Sequence, residues 1–203
     1  MNERPKYNPQ IHHRRSIRLK GYDYTQAGAY FITLCTHQRQ ALFGEVVGGE
    51  MRLSPLGQVA AAGWLRLAQF FPRSLVKDWV VMPNHVHAIV ILVEPEDGSS
   101  GAGKGEASAL GSSGIPTRSL ADASPQRPNG TQSGSINAIL QNYKSIVARK
   151  INAQRGTPGA PVWQRNYYEH IIRDETSYLR IAEYIRNNPA RWELDQLFVG
   201  KSA

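Results

Sequence analysis

The amino-acid sequence predicts an α+β fold of the ferredoxin-like βαββαβ plan, with an antiparallel sheet and one added C-terminal helix. Three observations predict it. Strand-type and helix-type periodicities alternate along the chain in the order β, α, β, β, α, β, α. Two of the apolar strands are separated only by the bend Met82-Pro83-Asn84. Finally, 203 residues with 41% hydrophobic content suffice for one core and are thin for two.

The elements follow in chain order. Residues 29–36 are rich in aromatic and β-branched residues and predict the first strand. A turn near Gly44 and a short hairpin at Gly48-Gly49 come next. Ser54-Pro55 is an N-cap with proline at the first helical position. It predicts a helix from Pro55 to about Phe71, stopped by Pro72, with Leu56, Val59, Ala60, Gly63, Leu67 and Phe70 on one face. Strands over 76–81 and 85–93 flank the Met82-Pro83-Asn84 bend. Ile136, Ile139, Leu140, Tyr143, Val147 and Ile151 form a helical stripe. Trp163 to Ile172 predicts the last strand, and Asp174 caps a final helix that must end before Pro189.

Composition divides the chain into a basic arm over residues 1–20, one domain built from 21–96 and 135–203, and an insert over 97–134. The arm carries Arg14, Arg15, Arg18 and Lys20. The insert is rich in Gly, Ser, Pro and Ala and holds no aromatic residue, so it buries too little surface to offset its ordering entropy and is expected to be flexible. A formal net charge of +8 suits a polyanionic partner, although a merely basic enzyme has the same balance. The single cysteine, Cys35, excludes an internal disulfide and a Cys-rich zinc site; its apolar flanks predict a buried core thiol. The N-terminus lacks an apolar signal core and no later stretch is long enough to span a bilayer, so a cytoplasmic protein without a membrane partner is expected.

Two constellations carry candidate chemistry. Alternate strand residues share a face, so His85 and His87 project together and offer two neutral nitrogens to a metal or a donor pair to phosphate. The bland alternative is two partly exposed strand histidines. Ile89 stands where a histidine-triad hydrolase needs a third imidazole, and the chain has no His-Glu-x-x-His helix. On the last helix, Arg180, Tyr184 and Asn188 stack at four-residue spacing beside the apolar stripe Tyr178, Ile181, Ala182 and Ile185. A phenol with a pKa near ~10 is a poor nucleophile unless a cation stabilises its charge, and an Asn carbonyl can complete a hard-metal site. The alternative is a tyrosine that merely caps the core edge. Among nine tyrosines, Tyr184 alone has polar neighbours at both helical offsets; Tyr30 and Tyr143 lie in apolar stripes, and Tyr167 and Tyr168 alternate, one buried and one exposed.

The segments Met82-Pro83-Asn84-His85-Val86-His87 and Ala182-Glu183-Tyr184-Ile185-Arg186-Asn187-Asn188-Pro189 together resemble the REP-associated tyrosine transposases, single-tyrosine members of the histidine–hydrophobic–histidine (HUH) group. The stretches 162–173 and Arg15-Ser16-Ile17-Arg18-Leu19 are similar to that family as well. The resemblance covers nearly the whole chain outside the insert. It implies an HUH-endonuclease fold, an Mg or Mn ion, and cleavage and rejoining of single-stranded or hairpin DNA, REP-type palindromes among the candidates, by a monomer or homodimer. It places His85 and His87 on the two metal-binding histidines, Tyr184 on the nucleophile and Asn188 on the third ligand. DNA contacts are expected from Arg14, Arg15, Arg18, Lys20 and Arg180. Two rival classes remain: a domesticated protein that binds DNA hairpins without cutting, and a metal-dependent RNA nuclease.

Overall fold

A computed structural model describes residues 22–94 and 131–198. The basic arm with Arg14, Arg15, Arg18 and Lys20, and the insert up to residue 130, lie outside the described residues.

Strands β1 (Gly28–Cys35), β2 (Gly44–Val47) and β3 (Glu50–Leu53) come first, followed by helices α1 (Pro55–Leu65) and α2 (Leu67–Phe70). Then come β4 (Ser74–Met82), β5 (His85–Leu92), α3 (Ile136–Arg155), β6 (Tyr168–Ile172) and α4 (Glu175–Asn187). Four strands form an antiparallel sheet in the order β4-β5-β1-β6. Setting aside the β2–β3 hairpin, which pairs only with itself, this is the order that a βαββαβ chain adopts when its first and third strands are central.

Strand alternation sorts side chains between two layers. Tyr30, Ile32 and Leu34 of β1, with Val86, Ala88 and Val90 of β5, face the main core beneath α1 and α3. Tyr143 stacks on Trp64 with ring centroids 4.2 Å apart and donates a hydrogen bond to the Ala60 carbonyl at 3.0 Å. Gly63 permits this approach, since a Cβ there would lie 2.7 Å from Val147 Cγ2. The opposite face carries Phe31, Ile89 and Ile91, against which α4 sets Ala182 and Ile185. Asp174 caps α4 by accepting the Ser177 N–H at 2.8 Å, and Tyr178 pins the helix to β4 through Asp78 at 2.9 Å.

Three expectations are revised. The helix after Ser54 breaks at Arg66 instead of running on to Phe71, which tucks Leu67 under and turns Phe70 out to 58% exposure, while Trp64 joins the core in its place. The last strand is confined to Tyr168–Ile172; upstream, the Lys144 ammonium takes the carbonyls of Gln164 and Arg165, and Trp163 keeps only an isolated bridge to Thr36. Cys35 is half-buried on the α4 side of the sheet, opposite His85 in register, and is not a core thiol. No helix among the described residues is long and apolar enough to cross a membrane.

Candidate active site

Because His85 and His87 share the parity of Ile89 and Ile91, they lie on the α4 face of the sheet, where β5 emerges from the Pro83-Asn84 bend. Both imidazoles are buried, at 0% and 3% exposure, so neither is the partly exposed strand histidine of the bland alternative. Their ring centroids are 4.4 Å apart. Desolvation disfavours the charged form of each. Burial pushes His85 down to about 4, and burial together with the neighbouring His85 holds His87 well below the usual imidazole range. Both rings are therefore neutral at physiological pH, the state in which an imidazole ligates metal.

Partners on the inner nitrogens orient the rings. Asn84 donates its amide N–H to the Leu197 carbonyl at 2.8 Å, which turns its own oxygen towards His85 Nδ1, also at 2.8 Å. An amide oxygen only accepts, so His85 carries its hydrogen on Nδ1 and presents a lone pair on Nε2. That Nε2 is buried and has no hydrogen-bond partner. His87 Nδ1 is taken by the Thr33 hydroxyl at 2.9 Å, Thr33 being its register partner on β1.

From α4, the Tyr184 hydroxyl reaches His87 Nε2 at 3.2 Å and Asp195 Oδ2 at 3.2 Å. Burial, then the Asp195 carboxylate, pushes this phenol up to about 12. The row Arg180, Tyr184, Asn188 exists, but it descends: Arg180 is exposed, Tyr184 is 45% exposed and Asn188 only 2%. Asn188 gives its amide N–H to Asp195 Oδ2 at 2.8 Å, which leaves its oxygen buried without a partner.

Asp195 was not legible in the sequence as a site residue. After α4, Pro189–Leu194 form a 3-10 turn that reverses the chain and returns Asp195 to the histidines. Its Oδ1 accepts the Leu197 N–H at 2.6 Å, a local turn that steers Oδ2 inward. Burial pushes the carboxyl up, but the Leu197 N–H, the Asn188 amide and the histidines outweigh it and hold Asp195 below the usual carboxylate range. One potential ligand atom each from His85, His87 and Asp195 lie within 4.8 Å of one another. Two nitrogens and a carboxylate, beside the unpartnered Asn188 oxygen, form a mixed N/O donor set that fits a divalent cation.

Tyr184 stands between two surface grooves. One runs along α4 past Arg180 and Arg191; the other lies over Phe31, Thr33 and Tyr168. Of the residues expected to contact DNA, Arg180 alone is among those described, and it borders the first groove.

No family model matches this chain. A Haemophilus influenzae protein described only as uncharacterized is 43% identical over 194 residues, covering 96% of this chain and 98% of its own length. Among solved structures, a REP-associated tyrosine transposase bound to a REP hairpin aligns with a TM-score of 0.49 at 17% identity, over 90% of this chain and 77% of that one. A transposase-like protein from Deinococcus radiodurans aligns with a TM-score of 0.42 at 16% identity, over 85% of this chain and 97% of that one. Both scores are too low for a shared function to follow from them.

Proposed function

We propose, for a chain that belongs to the same family as the Haemophilus influenzae protein, a metal-dependent DNA transposase activity that cuts and rejoins single-stranded or hairpin DNA through a 5′-phosphotyrosine on Tyr184. The observation that carries this reading is the Tyr184 hydroxyl lying 3.2 Å from a buried histidine nitrogen that also belongs to the His85–His87–Asp195 donor set. The motif resemblance around His85, His87, Tyr184 and Asn188 supports it independently.

A divalent cation of the Mg or Mn type, held by His85, His87 and Asp195 with Asn188 at its edge, would polarise the scissile phosphate and stabilise the charge that develops there. The chain's own groups do the rest. Tyr184 Oη attacks phosphorus, and the Oη–P bond forms as the bond to the 3′ oxygen breaks. The phenolic proton is relayed through Asp195, its existing acceptor, to the departing oxygen, which leaves as a free 3′ hydroxyl. Held at about 12, the phenol is almost wholly protonated at neutral pH, so the nucleophile is inert until the site's charge changes. The phosphotyrosine keeps the energy of the broken diester, so another 3′ hydroxyl can rejoin the strand without ATP. Arg180 and Arg191 flank the nucleophile and suit the strand's phosphates.

The test is incubation with stem-loop oligonucleotides bearing single-stranded flanks, in Mn2+ and in EDTA. A denaturation-resistant adduct that needs metal and maps to Tyr184 is expected. Turnover without an adduct would favour the metal-dependent nuclease, and retained binding without cutting would favour the hairpin-binding protein.

A further inference from the structure

We propose that the groove on the Tyr168 side of the nucleophile seats a base of the strand being cut, stacked on the Tyr168 ring. The proposal rests on the reading that the substrate is single-stranded nucleic acid and specifies which surface holds its bases.

The two grooves that meet at Tyr184 differ in chemistry. The one along α4 contains Arg180 and Arg191. The other, about 720 Å³, has no lysine or arginine in its lining. In place of cations it has the amides of Gln164, Asn166 and Gln196 around an aromatic floor. Neutral amides can donate and accept at base edges, whereas cations serve phosphates, so the contrast suits a strand with its backbone on one side and its bases on the other.

Tyr168 has the geometry of a stacking platform. It pairs with Thr33 in register on the edge strand β6, which puts its side chain on the face that carries His87. The residue is 53% exposed, which leaves ring surface open for a base to cover. Phe31 meets the ring edge-on with centroids 6.1 Å apart, and Phe31 also meets Tyr184 at 6.2 Å and His87 at 5.2 Å. The platform is thus braced by the aromatic residue that braces the nucleophile, and a base on Tyr168 is held in fixed relation to the Tyr184 hydroxyl. Stacking of this kind tolerates any base and adds affinity without reading sequence.

The test compares labelled oligothymidylate with a fully abasic strand of the same length, by fluorescence anisotropy in Mn2+. Wild type should hold the base-bearing strand more tightly. Tyr168→Ala should weaken oligothymidylate binding by roughly 5- to 150-fold. Its affinity for the abasic strand should stay within about twofold. Tyr168→Phe and Tyr168→Trp should restore binding. Oligothymidylate affinity within about twofold of wild type in Tyr168→Ala, or equal weakening on both strands, would overturn the proposal. If wild type still forms the Tyr184 adduct in that case, only the base site fails. If wild type holds neither strand nor forms an adduct, the DNA reading falls with it.

Discussion

The Tyr184 hydroxyl lies 3.2 Å from His87 Nε2, the same atom that a cation on the histidine pair would need. Thr33 occupies Nδ1, so ligation at Nε2 would displace the phenol's hydrogen bond and free the proposed nucleophile. Tyr184→Phe should therefore bind Mn2+ at least as tightly as wild type by calorimetry while forming no DNA adduct. The ring and its contact with Phe31 remain, so little stability should be lost. An affinity loss of about tenfold would mean that the hydroxyl is a ligand and not a competitor.

Asp195 and Asn188 should differ in weight. Asp195→Asn removes the only carboxylate of the donor set and should lower Mn2+ affinity by about 100-fold. Asn188→Ala, which removes the amide that holds Asp195 Oδ2, should lower it by about tenfold. The reverse order would identify Asn188 as the principal oxygen ligand.

Asn84 sets the tautomer of His85 without facing the proposed cation. Asn84→Ala releases His85 Nδ1 and the Leu197 carbonyl together. Metal affinity should drop by roughly 10- to 100-fold, as is usual when a ligand loses its orienting partner. Unchanged affinity would show that packing alone orients the ring.

Acid should unfold the metal-free protein through its histidines. His85 titrates near 4 in the fold against 6.5 for an ordinary imidazole, and His87 is lowered as well. Between those values the unfolded chain binds more protons, so stability is fully present above about pH 6.5 and is lost as pH falls towards 4. His85 alone should account for on the order of 3 kcal/mol. Urea titrations in EDTA at pH 7 and pH 5 should record about 2 kcal/mol of that loss from His85, and His85→Gln with His87→Gln should remove most of it. An undiminished pH dependence in that double variant would place the titrating groups elsewhere.

Salt dependence should report the arginines beside Tyr184. Arg180→Ala and Arg191→Ala should each flatten the plot of log affinity against log salt by about 0.7 for a single strand. Deleting residues 1–20 tests Arg14, Arg15, Arg18 and Lys20 in the same way. A slope unmoved by any of these changes would mean that the phosphates run elsewhere.

Much of the molecule was legible in the amino-acid order because its signals are local. The Ser54-Pro55 cap, the stripe from Ile136 to Ile151, the Asp174 cap and the stop before Pro189 are written in adjacent or helically spaced residues, and each element appears where those residues place it. Strand parity alone was enough to put His85 and His87 on one face. Parity does not say which layer covers that face, and packing against α4 made the pair buried instead of partly exposed. The shortened last strand likewise follows from a distant partner, Lys144. Asp195 is the clearest case. It has no helical or strand offset to Tyr184, and only the chain reversal through Pro189–Leu194 returns its carboxylate to the histidines. Periodic spacing reveals neighbours within one element, whereas a site assembled from β5, α4 and the turn beyond it exists only once the sheet has brought them together.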